Sequence, residues 1–379
     1  MLIKILIVND IMSTGGTEKL IKDICKYYNV KNIELYIATY FKAEWDKDID
    51  SKVAEHYYFN KINRNSFINK LGKYIFNISQ YEVLEDEFDV CIVYKQLCYD
   101  AINYVKAKKY ILWVHEDYAY NKLYESSNWW KNRIEYNHKK KFLKNYDKIV
   151  ACSENAKESF EKYYKVKNLI VIKNSINEIE IESKCDDEID LPNAIKNNYM
   201  INISTLSNSV AGYGKRVDLL IELFSKCLKN DENLKLVIVG SGKIKDELEK
   251  LITELGIVDK CFLLGKKDNP YPYIKNAKIM LSTSNAESYG LSIAEAMYLG
   301  VPAVCFNNRG ISDFVNNGQN GIIVNSNEEF INAVLKINYD NDYRIKLSNN
   351  AKDSMKKTAN IIGYVNNIEQ LVFEVLSGD

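Results

Sequence analysis

The chain has no surplus of charge of either sign: 51 lysine and arginine residues stand against 51 aspartate and glutamate in 379 residues. A protein that grips a nucleic-acid backbone carries a basic excess, so no nucleic-acid partner is expected. Long apolar runs are also missing, and nothing approaches the roughly eighteen residues that would mark a membrane-spanning helix. The opening run Leu2-Ile3-Lys4-Ile5-Leu6-Ile7-Val8 reads as a strand and lacks the three parts of a signal peptide, which sets the expectation of a cytoplasmic protein. The eight cysteines are scattered singly, with no C-x-x-C pair and no histidine at ligand spacing, and read as reduced thiols. Cys91, Cys152, Cys261 and Cys305 lie in or beside apolar runs and are expected to be small core residues. The G-x-G-x-x-G fingerprint is absent, as is an acid after the next strand, which counts against a nicotinamide dehydrogenase.

What is present is alternation. A length of 379 residues exceeds one ordinary hydrophobic core, so two domains are expected. Short apolar strands at 33–39, 89–94, 110–114 and 148–152 alternate with polar or helical stretches, and Glu18 to Tyr28 has helical spacing at Leu20, Ile21, Ile24 and Cys25. An acidic run from Glu178 to Asp190, followed by Pro192, reads as a linker. The alternation then restarts, with strands at 200–204, 234–239, 261–265, 279–282 and 302–306 and a helix at 217–228. This is an α/β pattern: two Rossmann-like parallel-sheet domains, each sheet covered on both faces and the pair facing a cleft. The expected boundaries are 1–177 with a returning helix at 361–379, a linker at 178–197, and 198–360.

Ligands of open parallel sheets bind outside the carboxyl ends of the strands. Four segments there carry unusual residues: Gly15-Gly16, His115-Glu116-Asp117, Gly214-Lys215-Arg216 and Glu287-Ser288-Tyr289-Gly290-Leu291. Gly15 and Gly16 open a helix whose start favours phosphate, although an ordinary tight turn explains them as well. Glu287 and Glu295, with seven residues between them, span a loop-to-helix junction. Amides around Ser288 to Leu291 would meet an anion while both carboxylates reach hydroxyl groups, an arrangement that suits a diphosphate flanked by a sugar and a ribose. Ser292-x-x-Glu295 is also a capping box, which would give Glu295 a purely structural task.

These segments resemble the retaining glycosyltransferases of family four, which have the GT-B fold. Matching stretches include Ile238-Val239-Gly240-Ser241-Gly242, Asn269-Pro270-Tyr271-Pro272-Tyr273-Ile274, the two-glutamate segment and Asn320-Gly321-Ile322-Ile323-Val324. The Gly15-Gly16-Thr17-Glu18 loop, Val114-His115-Glu116, Ala151-Cys152-Ser153-Glu154 and Val171-Ile172-Lys173-Asn174-Ser175 match more loosely. The resemblance implies that Glu287 bonds the donor sugar, Glu295 the ribose, that Lys215 neutralises the diphosphate, and that His115 lines the cleft beside the transferred sugar. It makes Gly15, Gly16, Arg216, Gly240, Ser288, Tyr289, Gly290 and Leu291 donor contacts. Two positions depart from the family: Thr205 stands where an arginine is usual, with Arg216 and Arg309 as candidate substitutes, and Ser288 stands where glycine is common.

The reaction expected from this resemblance is transfer of a sugar from a nucleotide-diphosphate sugar to a glycan, glycolipid or glycoprotein acceptor, with retention. A nucleotide-sugar epimerase of the same fold and a non-catalytic sugar-nucleotide-binding subunit are the alternatives. Asp48-Ile49-Asp50 and Asp340-Asn341-Asp342 lie away from strand ends and read as chance D-x-D matches, so no metal and no cofactor beyond the donor is expected. Trp129-Trp130 precede a stretch to Lys148 that holds seven basic residues from Lys131 on against two acidic ones. That composition suits peripheral contact with an inner membrane face, or a solvated helix whose tryptophans pack inward.

Overall fold

The apolar runs become two all-parallel sheets. The computed structural model describes residues 2–12, 15–28, 32–43, 45–62, 81–95, 98–115, 129–166, 169–191, 195, 198–207 and 214–378. Ser13, Thr14, Glu116, Asp117, Pro192 and the side chains of Trp129 and Trp130 lie outside the described residues. The chain divides into two units, Met1–Asn174 with Ile361–Asp379, and Ser175–Asn360.

In the first unit the elements are β1 (Ile3–Val8), α1 (Gly16–Tyr27), β2 (Ile33–Thr39), α2 (Asp46–Asp50), β3 (Glu55–Tyr58), β4 (Glu87–Val93), β5 (Lys106–Val114), α3 (Trp129–Leu143), β6 (Lys148–Ala151), α4 (Glu154–Tyr164) and β7 (Ile170–Val171). The strand order is β3-β2-β1-β4-β5-β6-β7, so the order reverses between β1 and β4. Ile5 to Val8 and Val90 to Val93 are buried because helices cover both faces, which is why these strands read as unbroken apolar runs. The short strand β3, Glu-His-Tyr-Tyr, carries no such run and escapes the sequence pattern, and β7 lies in a run of only four apolar residues, Leu169 to Ile172.

The second unit contains α5 (Glu178–Lys184), β8 (Met200–Ile203), α6 (Val217–Leu228), β9 (Leu236–Val239), α7 (Lys245–Glu254), β10 (Cys261–Leu263), α8 (Tyr271–Lys275), β11 (Ile279–Ser282), α9 (Leu291–Tyr298), β12 (Ala303–Phe306), β13 (Ile322–Val324), α10 (Asn327–Tyr339) and α11 (Asn341–Thr358). Its order is β10-β9-β8-β11-β12-β13, reversing between β8 and β11. The last helix, α12 (Ile361–Ser377), belongs to the first unit, where it buries Ile361, Val365, Ile368, Leu371, Val372 and Val375 against α1 and β4.

One expectation is corrected here. The acidic run is not a free linker, because Glu178–Lys184 forms a helix whose Ile181 is fully buried in the core of the second unit together with Ile176, Cys185 and Leu191. Its acids are tied down as well: Tyr298 donates to Glu182, Lys275 pairs with Asp186, and Asn269 donates to Asp187 and to the Lys184 carbonyl. The two D-x-D stretches serve local structure. Asp48 pairs with Lys22, Asp50 with His56, and Asp340 caps α11 by accepting the Tyr343 amide.

All eight cysteines are buried and unbridged. Burial pushes the thiols of Cys25, Cys227 and Cys261 up to about 12, which leaves them inert as nucleophiles. Among the described residues, no helix is long and apolar enough to cross a membrane.

Candidate functional site

The reversal of strand order between β8 and β11 opens a crevice at the carboxyl ends of those strands, the usual ligand position in such sheets. Lys215 and Glu287 meet there. Lys215 lies on the connection from β8 to α6, Glu287 on that from β11 to α9, and the lysine Nζ is 2.7 Å from both carboxylate oxygens. Glu287 is largely buried, with its side chain 11% exposed, while that of Lys215 is 32% exposed. Both therefore touch solvent at the crevice while each satisfies the other's charge.

A polar scaffold that the sequence reading missed brings the pair together. The Asn285 Oδ1 accepts the Gly214 amide at 3.1 Å, and Ser284 Oγ lies 3.2 Å from the Gly214 carbonyl and 3.1 Å from that of Ala286. Thr283 Oγ1 lies 2.7 Å from the Arg216 carbonyl and 3.2 Å from that of Lys215. Asn308, beyond β12, donates to the Ser284 carbonyl at 3.0 Å and accepts the Gly310 amide at 3.1 Å. Apart from the local Asn308–Gly310 bond, these are short polar side chains bonding backbone some twenty to seventy residues away, so no local pattern announces them.

The helix that follows Glu287 begins where expected, at Leu291, but not by a capping box. Gly290 is the N-cap, with φ of 82°, a left-handed conformation that glycine adopts without steric cost. Ser292 already sits inside the first turn, and its hydroxyl donates to the Ile203 carbonyl at 3.3 Å. The capping-box explanation of Glu295 is thus removed. Glu295 itself is 5% exposed, on α9. Leu291 and Tyr289 turn the other way: Tyr289 is buried with its ring 5.1 Å from Phe314, and Leu291 packs against the same core. The Tyr289 ring thus belongs to the core, which leaves its backbone as the part of this residue that a donor would meet.

Gly240 also has a structural reason. A Cβ there would come within 1.8 Å of the Ser204 carbonyl oxygen, so glycine lets the turn after β9 lie on the end of β8. Arg216 directs its guanidinium over the Phe306 ring, 5.9 Å from the centroid. Thr205 is exposed at the end of β8. Gly310 seats the Arg309 loop against Glu287, since a Cβ on Gly310 would lie 2.1 Å from the Glu287 carbonyl oxygen. Ser288, next to Glu287 in the same loop, is half-buried.

The first unit has a comparable cluster at its own reversal of strand order. Lys95, after β4, pairs with Asp10 at 2.9 Å and Glu18 at 3.3 Å, both from the connection after β1 and the first turn of α1. Burial works against the Lys95 charge, but Glu18 and Asp10 outweigh it and raise its pKa. Asp10, Glu18 and Lys95 were not singled out from sequence. Glu18 also changes the meaning of Gly15 and Gly16. Its Oε2 would lie 2.0 Å from a Cβ on Gly15, so the start of α1 already carries a carboxylate. That carboxylate is in turn paired with Lys95.

His115, at the end of β5, is buried beside Tyr94, with ring centroids 4.8 Å apart. Burial, and after it the Lys95 charge, push its pKa down to about 3, so the imidazole is neutral at physiological pH.

The two units match two family models. Residues 14–178 match the model described as Glycosyltransferase Family 4, and residues 196–354 that described as Glycosyl transferases group 1. Among solved structures, the Anabaena protein HepE in complex with UDP and glucose superposes with a TM-score of 0.73 at 18% identity, covering 98% of this chain and all of that one. These matches define a GT-B architecture, and the chain belongs to the GT-B glycosyltransferases of family four. It is 37% identical over 111 residues to the poly(ribitol-phosphate) alpha-N-acetylglucosaminyltransferase of Staphylococcus aureus, covering 29% of this chain and 22% of that protein. It is 29% identical over 204 residues to a Campylobacter jejuni N-acetylgalactosaminyltransferase acting on a diphospho-undecaprenol-linked sugar, covering 52% of this chain and 53% of that protein. The chain spans about a fifth to a half of the length of these curated relatives.

Proposed function

We propose that the protein is a retaining glycosyltransferase that moves a sugar from a nucleotide-diphosphate sugar to a glycan, lipid-linked or protein acceptor, without a metal ion or other cofactor. The observation that carries this reading is the Lys215–Glu287 pair at the β8/β11 crevice, inside the segment matched by the group 1 model. Departure of a nucleoside diphosphate leaves negative charge on phosphate and positive charge on the sugar ring. A lysine and the amides at the start of α9 stabilise the first, and Glu287 and Glu295 suit the hydroxyls on either side. In same-face attack the acceptor oxygen bonds the anomeric carbon as the carbon–phosphate-oxygen bond breaks, and the acceptor's proton passes to the departing phosphate. Any part taken by His115 is that of a neutral imidazole.

HepE is solved with UDP, which makes uridine diphosphate sugars the first donors to try. The test is donor hydrolysis and transfer across uridine, guanosine and adenosine diphosphate sugars, with the product anomer read by NMR and the assay repeated in EDTA. We expect one donor to be consumed, with retention and unchanged rate in EDTA. Absence of binding and turnover with every donor would remove the reading.

Acceptors carried on lipid would place the enzyme at a membrane face. Arg133, Ile134, Lys141 and Lys144 are exposed on or just after α3, while Phe142 and Leu143 are buried. Peripheral contact through residues 129–148 therefore has both cations and an apolar side chain to offer. Co-sedimentation with anionic vesicles, lost when Lys139, Lys140 and Lys141 become glutamine, supports it; no binding at low ionic strength points to a soluble acceptor.

A further inference from the structure

We infer that Thr283 is a positioning residue for Lys215, its buried hydroxyl fixing the backbone from which the lysine reaches Glu287; this rests on the donor-site reading of that pair. Thr283 is the first residue beyond β11 and is fully buried. Its hydroxyl has one proton to give, and the Arg216 carbonyl at 2.7 Å is the near acceptor, with the Lys215 carbonyl at 3.2 Å.

Those carbonyls belong to an unusual stretch of backbone. Arg216 has φ of 50° and ψ of 48°, a left-handed conformation at the N-cap of α6 that a non-glycine residue resists. The conformation sets the direction in which the preceding Lys215 side chain leaves the chain. Surrounding contacts must hold it, and Thr283 supplies one from the neighbouring strand. Its two successors complete a clasp: Asn285 accepts the Gly214 amide on its side chain and donates its own amide to the Gly214 carbonyl, and the Ser284 hydroxyl lies between that carbonyl and the carbonyl of Ala286. Three consecutive residues, 283–285, thus grip three others, 214–216, and the same loop delivers Glu287 two residues later. A lysine is a flexible four-carbon chain, and an ion pair alone leaves it many ways to meet a carboxylate. The backbone clasp removes that freedom before a donor arrives.

The substitution that isolates the hydroxyl is Thr283→Val, which keeps the branched shape, set against Thr283→Ser, which keeps the donor. Titrations with UDP, GDP and ADP are read by calorimetry, and donor KM and kcat by initial rates, all on the full chain. For Thr283→Val the dissociation constant of the nucleoside diphosphate and the donor KM are expected to rise about five- to tenfold, the loss of one hydrogen bond, with a smaller change in kcat. Thr283→Ser is expected to stay within about twofold of wild type. A purely structural residue would lower the melting temperature without moving affinity. Should Thr283→Val fail to fold, Asn285→Ala opens the other side of the clasp and is expected to weaken binding likewise. Unchanged affinity in the valine variant, or equal loss in valine and serine variants, overturns the inference while leaving the donor site intact. A wild-type chain that binds none of the three nucleoside diphosphates overturns both.

Discussion

Lys215 and Glu287 hold each other, one ammonium group 2.7 Å from both oxygens of one carboxylate. The cation that a diphosphate would use is therefore already engaged. Glu287→Gln removes the competitor, so nucleoside diphosphate binding should tighten by up to about tenfold, while turnover drops at least tenfold with the loss of a charged contact on the sugar. Lys215→Ala should lower both affinity and turnover by about tenfold or more. Calorimetry beside initial-rate measurement checks this. A glutamine variant that binds nucleoside diphosphate no tighter than wild type would separate Lys215 from the phosphates.

With Gly290 as the N-cap of α9, Ser292 has no cap to lose. Ser292→Ala should cost only the bond to the Ile203 carbonyl, about 0.5–1.5 kcal/mol, with no cap lost besides. Glu295→Gln should weaken nucleotide binding several-fold and shift the melting temperature little. A large fall in melting temperature with intact affinity would return Glu295 to structure alone.

Arg216 occupies a left-handed position that costs a side-chain-bearing residue about 1–2 kcal/mol. Glycine is free of that cost, so Arg216→Gly should be about 1 kcal/mol more stable than Arg216→Ala, in which the strain remains. Because the guanidinium lies over Phe306, both variants should keep nucleoside diphosphate affinity within about threefold, the scale of an exposed cation–π contact. Tenfold weaker binding in both would make Arg216 the phosphate cation after all.

His115 is expected to stay neutral through the physiological range, its imidazole proton shifts flat down to about pH 4. The sign of the linked stability follows. Between the unfolded value near 6.5 and about 3, the unfolded chain takes up a proton that the folded chain refuses. Stability is complete above 6.5 and falls with pH below it, by up to about 1.4 kcal/mol per unit from this one group. His115→Gln should flatten that part of the profile. An imidazole titrating near 6.5 in the folded chain would contradict it.

Ile181→Ala tests the packed nature of α5. A buried isoleucine cut to alanine costs about 2–5 kcal/mol, whereas the same change in a free linker costs almost nothing. Urea denaturation of the full chain distinguishes them.

The sheets were legible because helices cover both of their faces, so β1, β4, β9 and β12 stand out as continuous apolar runs. Lys215 and Glu287 stood out because glycines punctuate the loops that carry them, and the structure brings the two together. The acidic run misled because its charge masked the helical spacing of Ile181 and Cys185. Thr283, Asn285 and Asn308 were invisible for a different reason: their partners are fixed only once β8, β11 and β12 lie side by side. Asp10, Glu18 and Lys95 join residues some eighty apart, again by strand order and not by any local motif. Tyr289 shows the converse, a residue within a recognised motif whose ring serves the core.

The return of α12 to the first unit has a consequence for the order in which the protein is made. Residues 1–174 leave the ribosome first, yet the surface of α1 and β4 that α12 covers stays bare until all of Ser175–Asn360 has followed. The unit synthesised second has every element it needs before the unit synthesised first. During that interval the apolar face that Val365, Ile368 and Val372 will cover is open to aggregation or to a chaperone, so the first unit, translated before the second, closes after it.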